Sequence, residues 1–317
     1  MASAVIDSVF PVFALIFTGW LCARAEILGH QTMEGLNSFV IWLALPAQLF
    51  AAMASVNLEE LAQPGFFFSY AIAMFGTSLL YVLLNWKKET NSVDKIVEAM
   101  SASYSNAGFM GIPLALMLFG QAGLVPAIFT MLFAVCILFA TSILAVELIK
   151  VRGQGLWPAL CKVTNSLVRN PILIAPILGV AWSQTHWTLP TAVSRYVDLI
   201  AAASTPAALI SIGLFLAQPQ KQKKYSSIKS IVALKLFFQP ALTALLCLWI
   251  FDVPTTWAMV AILMSALPVG SGPFMLARMY DREADIGARA ILISTILSIF
   301  TVSSLIALIE YKGHCCH

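Results

Sequence analysis

The chain has 317 residues, of which 60% are hydrophobic and only 10% charged, with a mean hydropathy of +0.88. A soluble domain carries about 25% charged residues, so this composition excludes a water-coated globule and points to lipid as the solvent. The formal charge of +3 comes with no basic stripe, which leaves no nucleic-acid partner to expect.

In chain order, apolar segments lie at Ala4–Glu26, Leu36–Val56, Gly65–Trp86, Val97–Phe119, Leu124–Ile149, Pro171–Trp187, Val197–Ala217, Ile231–Phe251, Thr256–Met279 and Ile286–Ile309. A span needs roughly 20 mainly apolar residues, so these segments predict ten transmembrane helices. They are too long and unbroken for the alternating strands of a barrel. The first begins almost at Met1, has acidic Asp7 on its flank and runs into Arg24, which predicts a retained span rather than a cleaved signal.

Basic residues are distributed unevenly among the connections. Arg24; Lys87, Lys88 and Lys95; Lys150, Arg152, Lys162 and Arg169; Lys221, Lys223, Lys224 and Lys229; and Arg278, Arg282 and Arg289 all fall in alternate connections. These are 15 of the 18 basic residues; Arg195 and Lys312 lie elsewhere and Lys235 lies inside the eighth segment. The positive-inside rule then predicts a multi-pass protein of a bacterial inner membrane with both termini outward.

Prolines inside the segments recur with related spacing. Pro11 to Pro46 and Pro171 to Pro206 are both 35 residues apart, while Pro46 to Pro113 is 67 and Pro206 to Pro268 is 62. This predicts a five-plus-five inverted repeat, the internal symmetry of secondary transporters. The expected organisation is a first repeat over residues 1–149, a cytoplasmic linker over 150–169, a second repeat over 170–311 and a tail over 312–317.

The fourth segment contains Ser105-Asn106-Ala107-Gly108-Phe109-Met110-Gly111-Ile112-Pro113, and the ninth Ala266-Leu267-Pro268-Val269-Gly270-Ser271-Gly272-Pro273-Phe274. Proline removes a backbone donor and glycine admits dihedrals that open a helix. The freed groups cannot face lipid. Two half-helices meeting there would turn amide ends into one cavity, a setting for an anion. The candidate substrate-binding set is therefore Ser103, Ser105, Asn106, Gly108, Gly111, Pro113, Ser265, Pro268, Gly270 and Ser271, together with Lys235. Close packing through small residues is the competing reading.

Lys235 either neutralises a carboxylate substrate or extends to the headgroups. Glu147 reads as an interface residue, Asp7 and Asp198 as helix caps, and the Arg278–Glu283 run as a solvated turn. The tail His314-Cys315-Cys316-His317 reads as a soft-metal site or a frayed end. Six scattered cysteines do not form a disulfide framework. With no nucleotide loop, metal quartet or nucleophile–base pair, neither an enzyme nor a cofactor is expected, although coupling to a proton or a sodium ion is left open.

The same strings carry a family resemblance. Asn106 with Met110-Gly111-Ile112-Pro113-Leu114, Arg169-Asn170-Pro171 with Gly179, and Ala266-Leu267-Pro268 with Gly270, Pro273-Phe274, Ala277 and Tyr280 are similar to the auxin efflux carrier family, which includes bacterial malonate transporters. The similarity covers essentially the whole chain, with the long central loop of plant members reduced to the Lys150–Arg169 linker. Ser105 departs from it, since plant members carry proline before the asparagine. The resemblance implies a fold like that of sodium/proton antiporters and bile-acid symporters, with broken helices four and nine crossing at the site. It further implies a scaffold of spans one, two, six and seven that forms a homodimer, and a transport domain that moves as an elevator. Asn106 would touch a small organic anion such as malonate, and Pro268 would mark the second crossover.

Overall fold

The computed structural model describes residues 2–55, 63–87, 90–150, 161, 164–165, 168–185, 187–218, 227–282 and 285–315, with side chains described for these except at 2–9, 30, 150, 278 and 310–315. The helices are α1 (Ala2–Arg24), α2 (Gln31–Ala54), α3 (Pro64–Leu84), α4 (Ser92–Ser101), α5 (Ala107–Phe119), α6 (Gln121–Ile149), α7 (Pro171–Ser183), α8 (Thr191–Leu216), α9 (Ser227–Ile250), α10 (Thr255–Ala266), α11 (Gly272–Met279) and α12 (Asp285–Cys315). Most of the linker over 150–169, the lysines Lys221, Lys223 and Lys224, and the side chains of Asp7, Arg278 and the His314–His317 tail lie outside the described residues.

Ten spans in a five-plus-five inverted repeat are not what the structure holds. Among the described residues six helices, α2, α3, α6, α8, α9 and α12, are long and apolar enough to cross a membrane; Phe10–Arg24, α5, α7 and α10 are apolar pieces of only 10–17 residues. Segments four and nine account for much of the difference. The fourth is cut between Ser101 and Ala107, and the ninth between Ala266 and Gly272. A hydropathy window sums apolar residues and does not register where the hydrogen-bond ladder stops. The resulting pieces fall below the roughly 20 residues that one crossing requires.

Several helices widen locally into π turns. Three of these sit two residues before a proline: Val40–Ala44 before Pro46, Ala107–Gly111 before Pro113, and Leu234–Phe238 before Pro240. Proline lacks the N–H for the preceding carbonyl and its ring presses on it. A wider turn moves that carbonyl away, so the helix continues past the proline.

The chain divides into two compact units, each drawn from separated stretches. The first comprises residues 1–63, 108–128 and 168–219; the second comprises 64–107, 129–167 and 220–317. In the first unit α1 packs on α8 and α2 on α7. A Cβ added to Gly19 would stand 2.1 Å from the Ile210 carbonyl oxygen, and one added to Gly213 would stand 2.0 Å from that of Ile16. The two backbones touch there because neither helix has a side chain at the contact. Gly179 does the same for α7, where a Cβ would meet Met53 Cβ at 2.7 Å and the Phe50 oxygen at 2.8 Å. The Ser211 hydroxyl closes α8 onto α2 by donating to Asn37 Oδ1 at 2.6 Å. Gly213→Ala is therefore expected to destabilise this unit by about 1–3 kcal/mol, the usual cost of overpacking. Thermal unfolding in detergent measures it, with Gly35→Ala as the neutral control because nothing lies within 4 Å of that position. Equal midpoints for the two variants would refute the contact.

In the second unit an aromatic cluster holds α3, α6 and α10. Phe66 meets Trp257 edge-on at 4.9 Å, Phe67 meets Phe129 at 5.1 Å, and Tyr70 meets Phe133 at 5.9 Å. Polar ties bind the rest. Arg282 grips Asp94 through two hydrogen bonds of 2.8 and 2.5 Å, so part of the predicted solvated turn is pinned to the start of α4. The Tyr280 hydroxyl donates to Glu147 at 2.7 Å. Asp198 lies inside α8 rather than at its start and accepts from Ser194 at 3.3 Å, so it does not cap that helix.

Candidate functional site

The two interrupted segments meet within the second unit. Ser105 and Val269 form an isolated antiparallel bridge. The Asn106 amide donates to the Pro268 carbonyl at 2.9 Å, and the Gly270 amide donates to the Tyr104 carbonyl at 3.0 Å. Backbone groups released by breaking both helices thus satisfy one another, as two strands do. The Val269 amide is taken by the Ser294 hydroxyl of α12 at 3.0 Å. This resolves the requirement that no backbone group be left bare in hydrocarbon.

Glycine permits the close crossing. A Cβ on Gly270 would meet the Ser105 oxygen at 2.9 Å, and one on Gly272 would stand 2.4 Å from the Tyr104 ring. Tyr104 itself is buried under the crossing.

The helix ends that precede the crossing also need donors, because the last carbonyls of a helix have no partner within it. Both are served from α9. The Lys235 amine donates to the Ser265 carbonyl, and Gln239 Nε2 donates to the Ser103 carbonyl at 3.1 Å. Lys235 and Gln239 are each 0% exposed. They are four residues apart across the π turn at Leu234–Phe238, on one face of one helix, with one anchor for each broken segment. Lys235 does not extend to a headgroup; its amine is inside the protein.

Of the predicted side chains, Ser103, Ser105 and Ser265 are buried, whereas Asn106 is partly exposed and Ser271 exposed. Pro268 and Gly270 lie in the crossing strand. Gly108 and Gly111 lie in the π turn that opens α5, and Pro113 follows it within the same helix. Sequence reasoning missed Gln239, Tyr104 and Ser294. A glutamine in an apolar span one turn after Lys235 was the available signal, since polar residues at such depth are costly and rarely idle. It also missed Glu98, a buried carboxylate on α4 that accepts from the Tyr81 hydroxyl at 2.5 Å and the Ser227 hydroxyl at 3.1 Å. Among the described residues no group of three or more His, Cys, Asp or Glu side chains is placed to hold a metal ion.

Residues 4–156 and 156–306 match the family model described as "Membrane transport protein". The chain belongs to this family. It is a polytopic membrane transport protein, and the long apolar helices are its lipid-embedded part. Within the family it is 27% identical over 305 residues to a Rhizobium meliloti protein named "Putative malonate transporter", covering 95% of both chains. It is 26% identical over 309 residues to an uncharacterized transporter of Methanocaldococcus jannaschii, covering 94% of this chain and 96% of that one. Similarity reaches auxin efflux carrier component 8 of Arabidopsis thaliana at 26% identity over 162 residues, which is 49% of this chain and 44% of that protein.

Proposed function

We propose that this transporter moves a small organic anion, malonate or a similar carboxylate, by elevator-type alternating access. The observation that carries the reading is the crossing at Ser105 and Val269, which buries its serines and leaves the Asn106 and Ser271 side chains reachable from outside the protein interior. An amide and a hydroxyl beside a helix start, where peptide dipoles favour negative charge, suit a carboxylate. The full-length relative named for malonate supports the cargo. Lys235 contributes in this reading by holding the Ser265 carbonyl, and Ser103, Ser105, Ser265, Gly108, Gly111, Pro113, Pro268 and Gly270 by shaping the two crossing segments. A larger amphipathic weak acid is the alternative cargo, favoured by the similarity to auxin efflux carriers.

We place the protein in a bacterial inner membrane with both termini outward, on the charge bias of the connections. A homodimer through α1, α2, α7 and α8 is part of the same reading; it covers exposed apolar side chains such as Ile177, Leu178 and Leu199. Radiolabelled malonate counterflow in liposomes, with competing carboxylates, tests the cargo, and imposed pH and sodium gradients in the same vesicles identify any coupling ion. Saturable counterflow is expected; a carrier shows it and a channel does not. Absence of saturable malonate flux, with flux of another solute class, overturns the assignment. Asn106→Ala is expected to lower malonate affinity about tenfold, the worth of one charge-assisted hydrogen bond, while insertion and folding stay normal. An unchanged KM in this variant removes Asn106 from the binding site.

A further inference from the structure

The first unit contains a cavity of about 1070 Å³, and none of its lining residues belongs to the predicted anion-binding set. It is lined by parts of α2, α5 to α8 and the connection between α7 and α8. Organic ligands of drug size occupy cavities of about 300–1000 Å³, so this space is far larger than a three-carbon diacid needs. Its chemistry also differs from that of an anion site. Among the described residues Asp198 is the one charged side chain in the lining, with no lysine or arginine beside it. A carboxylate ligand would meet a like charge there with no cation to offset it.

Two further features specify the ligand. Gln48 lines the cavity, is only 8% exposed, and its Oε1 has no hydrogen-bond partner among the described residues. A buried acceptor left in this state loses its hydration without replacement, and a ligand N–H supplies the missing donor. The indoles of Trp182 and Trp187 also line the space, with Trp182 Nε1 donating to the Trp187 carbonyl at 3.0 Å. Indole faces attract organic cations more strongly than the other aromatic side chains do.

We propose that this cavity is a second binding site, for an organic cation: a primary or secondary amine on an aromatic or apolar body. The ammonium meets the Asp198 carboxylate, an N–H reaches Gln48 Oε1, and the body lies against the indoles. Its lining contains none of the residues assigned to the anion, so an amine bound here acts as a modulator or as a second cargo.

The test uses the full chain in lipid nanodiscs and follows tryptophan fluorescence during titration with phenethylamine. Phenylacetate, of the same shape but opposite charge, is the matched control. Because the chain has eight tryptophans, Trp182→Phe identifies the reporting ring. Saturable quenching by phenethylamine is expected, with none by phenylacetate. Asp198→Asn is expected to weaken amine binding about tenfold or more and Gln48→Leu severalfold, with the Asp198 variant retaining wild-type malonate counterflow. Asp198 is solvent-exposed, so its substitution leaves the fold intact. Equal binding of the two probes, wild-type amine affinity in Asp198→Asn, or a signal matched by partitioning into protein-free lipid overturns the proposal. Failure of malonate transport leaves each of these outcomes readable.

Discussion

Lys235→Met is expected to reduce malonate counterflow more than tenfold while shifting thermal unfolding only slightly. Two opposing effects determine this pattern. Methionine has similar length and leaves the Ser265 carbonyl without its donor, at about 1–3 kcal/mol for a buried acceptor. It also removes a basic group from a membrane helix, where such a group costs about 2.5–3.5 kcal/mol on insertion scales. The two nearly cancel in global stability, but they act at different places. The relief is spread over α9, whereas the loss falls on the carbonyl three residues before Pro268. Hydrogen exchange provides a readout independent of the cargo: the Gly270 and Asn106 amides, which hold the crossing together, should exchange faster in the variant. Lys235→Gln, which keeps a donor on a shorter arm, should fall between the two. Wild-type exchange at Gly270 together with wild-type counterflow in Lys235→Met would show that the anchor is dispensable.

Gly272→Ala is expected to produce the largest loss for the smallest chemical change. The added methyl would stand 2.4 Å from Tyr104 Cζ and 2.5 Å from its Cε2, well inside van der Waals contact. The ring has little room to yield, because it is buried and also lies 3.0 Å from where a Cβ on Gly270 would be. A cost of about 1–3 kcal/mol is expected from the overpacking alone, with transport reduced more than tenfold because the strain falls on the crossing. Tyr104→Ala creates the missing room. The double variant should therefore be more stable than the sum of the two single changes predicts, by about 0.5–3 kcal/mol. Strict additivity in a double-mutant cycle would place the clash elsewhere.

What the sequence revealed and what it hid have a common cause. Pro268 and Gly270 lie in the break of the ninth segment, because these two residue types act on the local backbone. The break of the fourth, at 102–106, holds neither type, and Gly108, Gly111 and Pro113 lie beyond it inside α5. The number of full-length spans did not follow, since hydropathy responds to composition and is indifferent to whether a stretch is one helix or two short ones. The partners of α9 were hidden for a different reason. Lys235 finds Ser265 30 residues away and Gln239 finds Ser103 136 residues away, and no periodicity within one helix encodes such pairings. The cavity beside Gln48 was hidden likewise, because its lining is gathered from stretches that begin at residue 48 and end at residue 205.

The division of the chain has a consequence for biogenesis. Each compact unit is assembled from three stretches, and the last of these for the first unit is 168–219 and for the second 220–317. A ribosome that has released the first 150 residues has therefore supplied parts of both units and the whole of neither. Helices inserted early must wait in the bilayer with their contact faces unpaired until their partners arrive. Gly19 of α1, for example, has no Ile210 to touch until α8 has been made. Insertion and packing are thus separate stages for this protein, and a nascent chain halted between them exposes the small-residue faces that quality control can read.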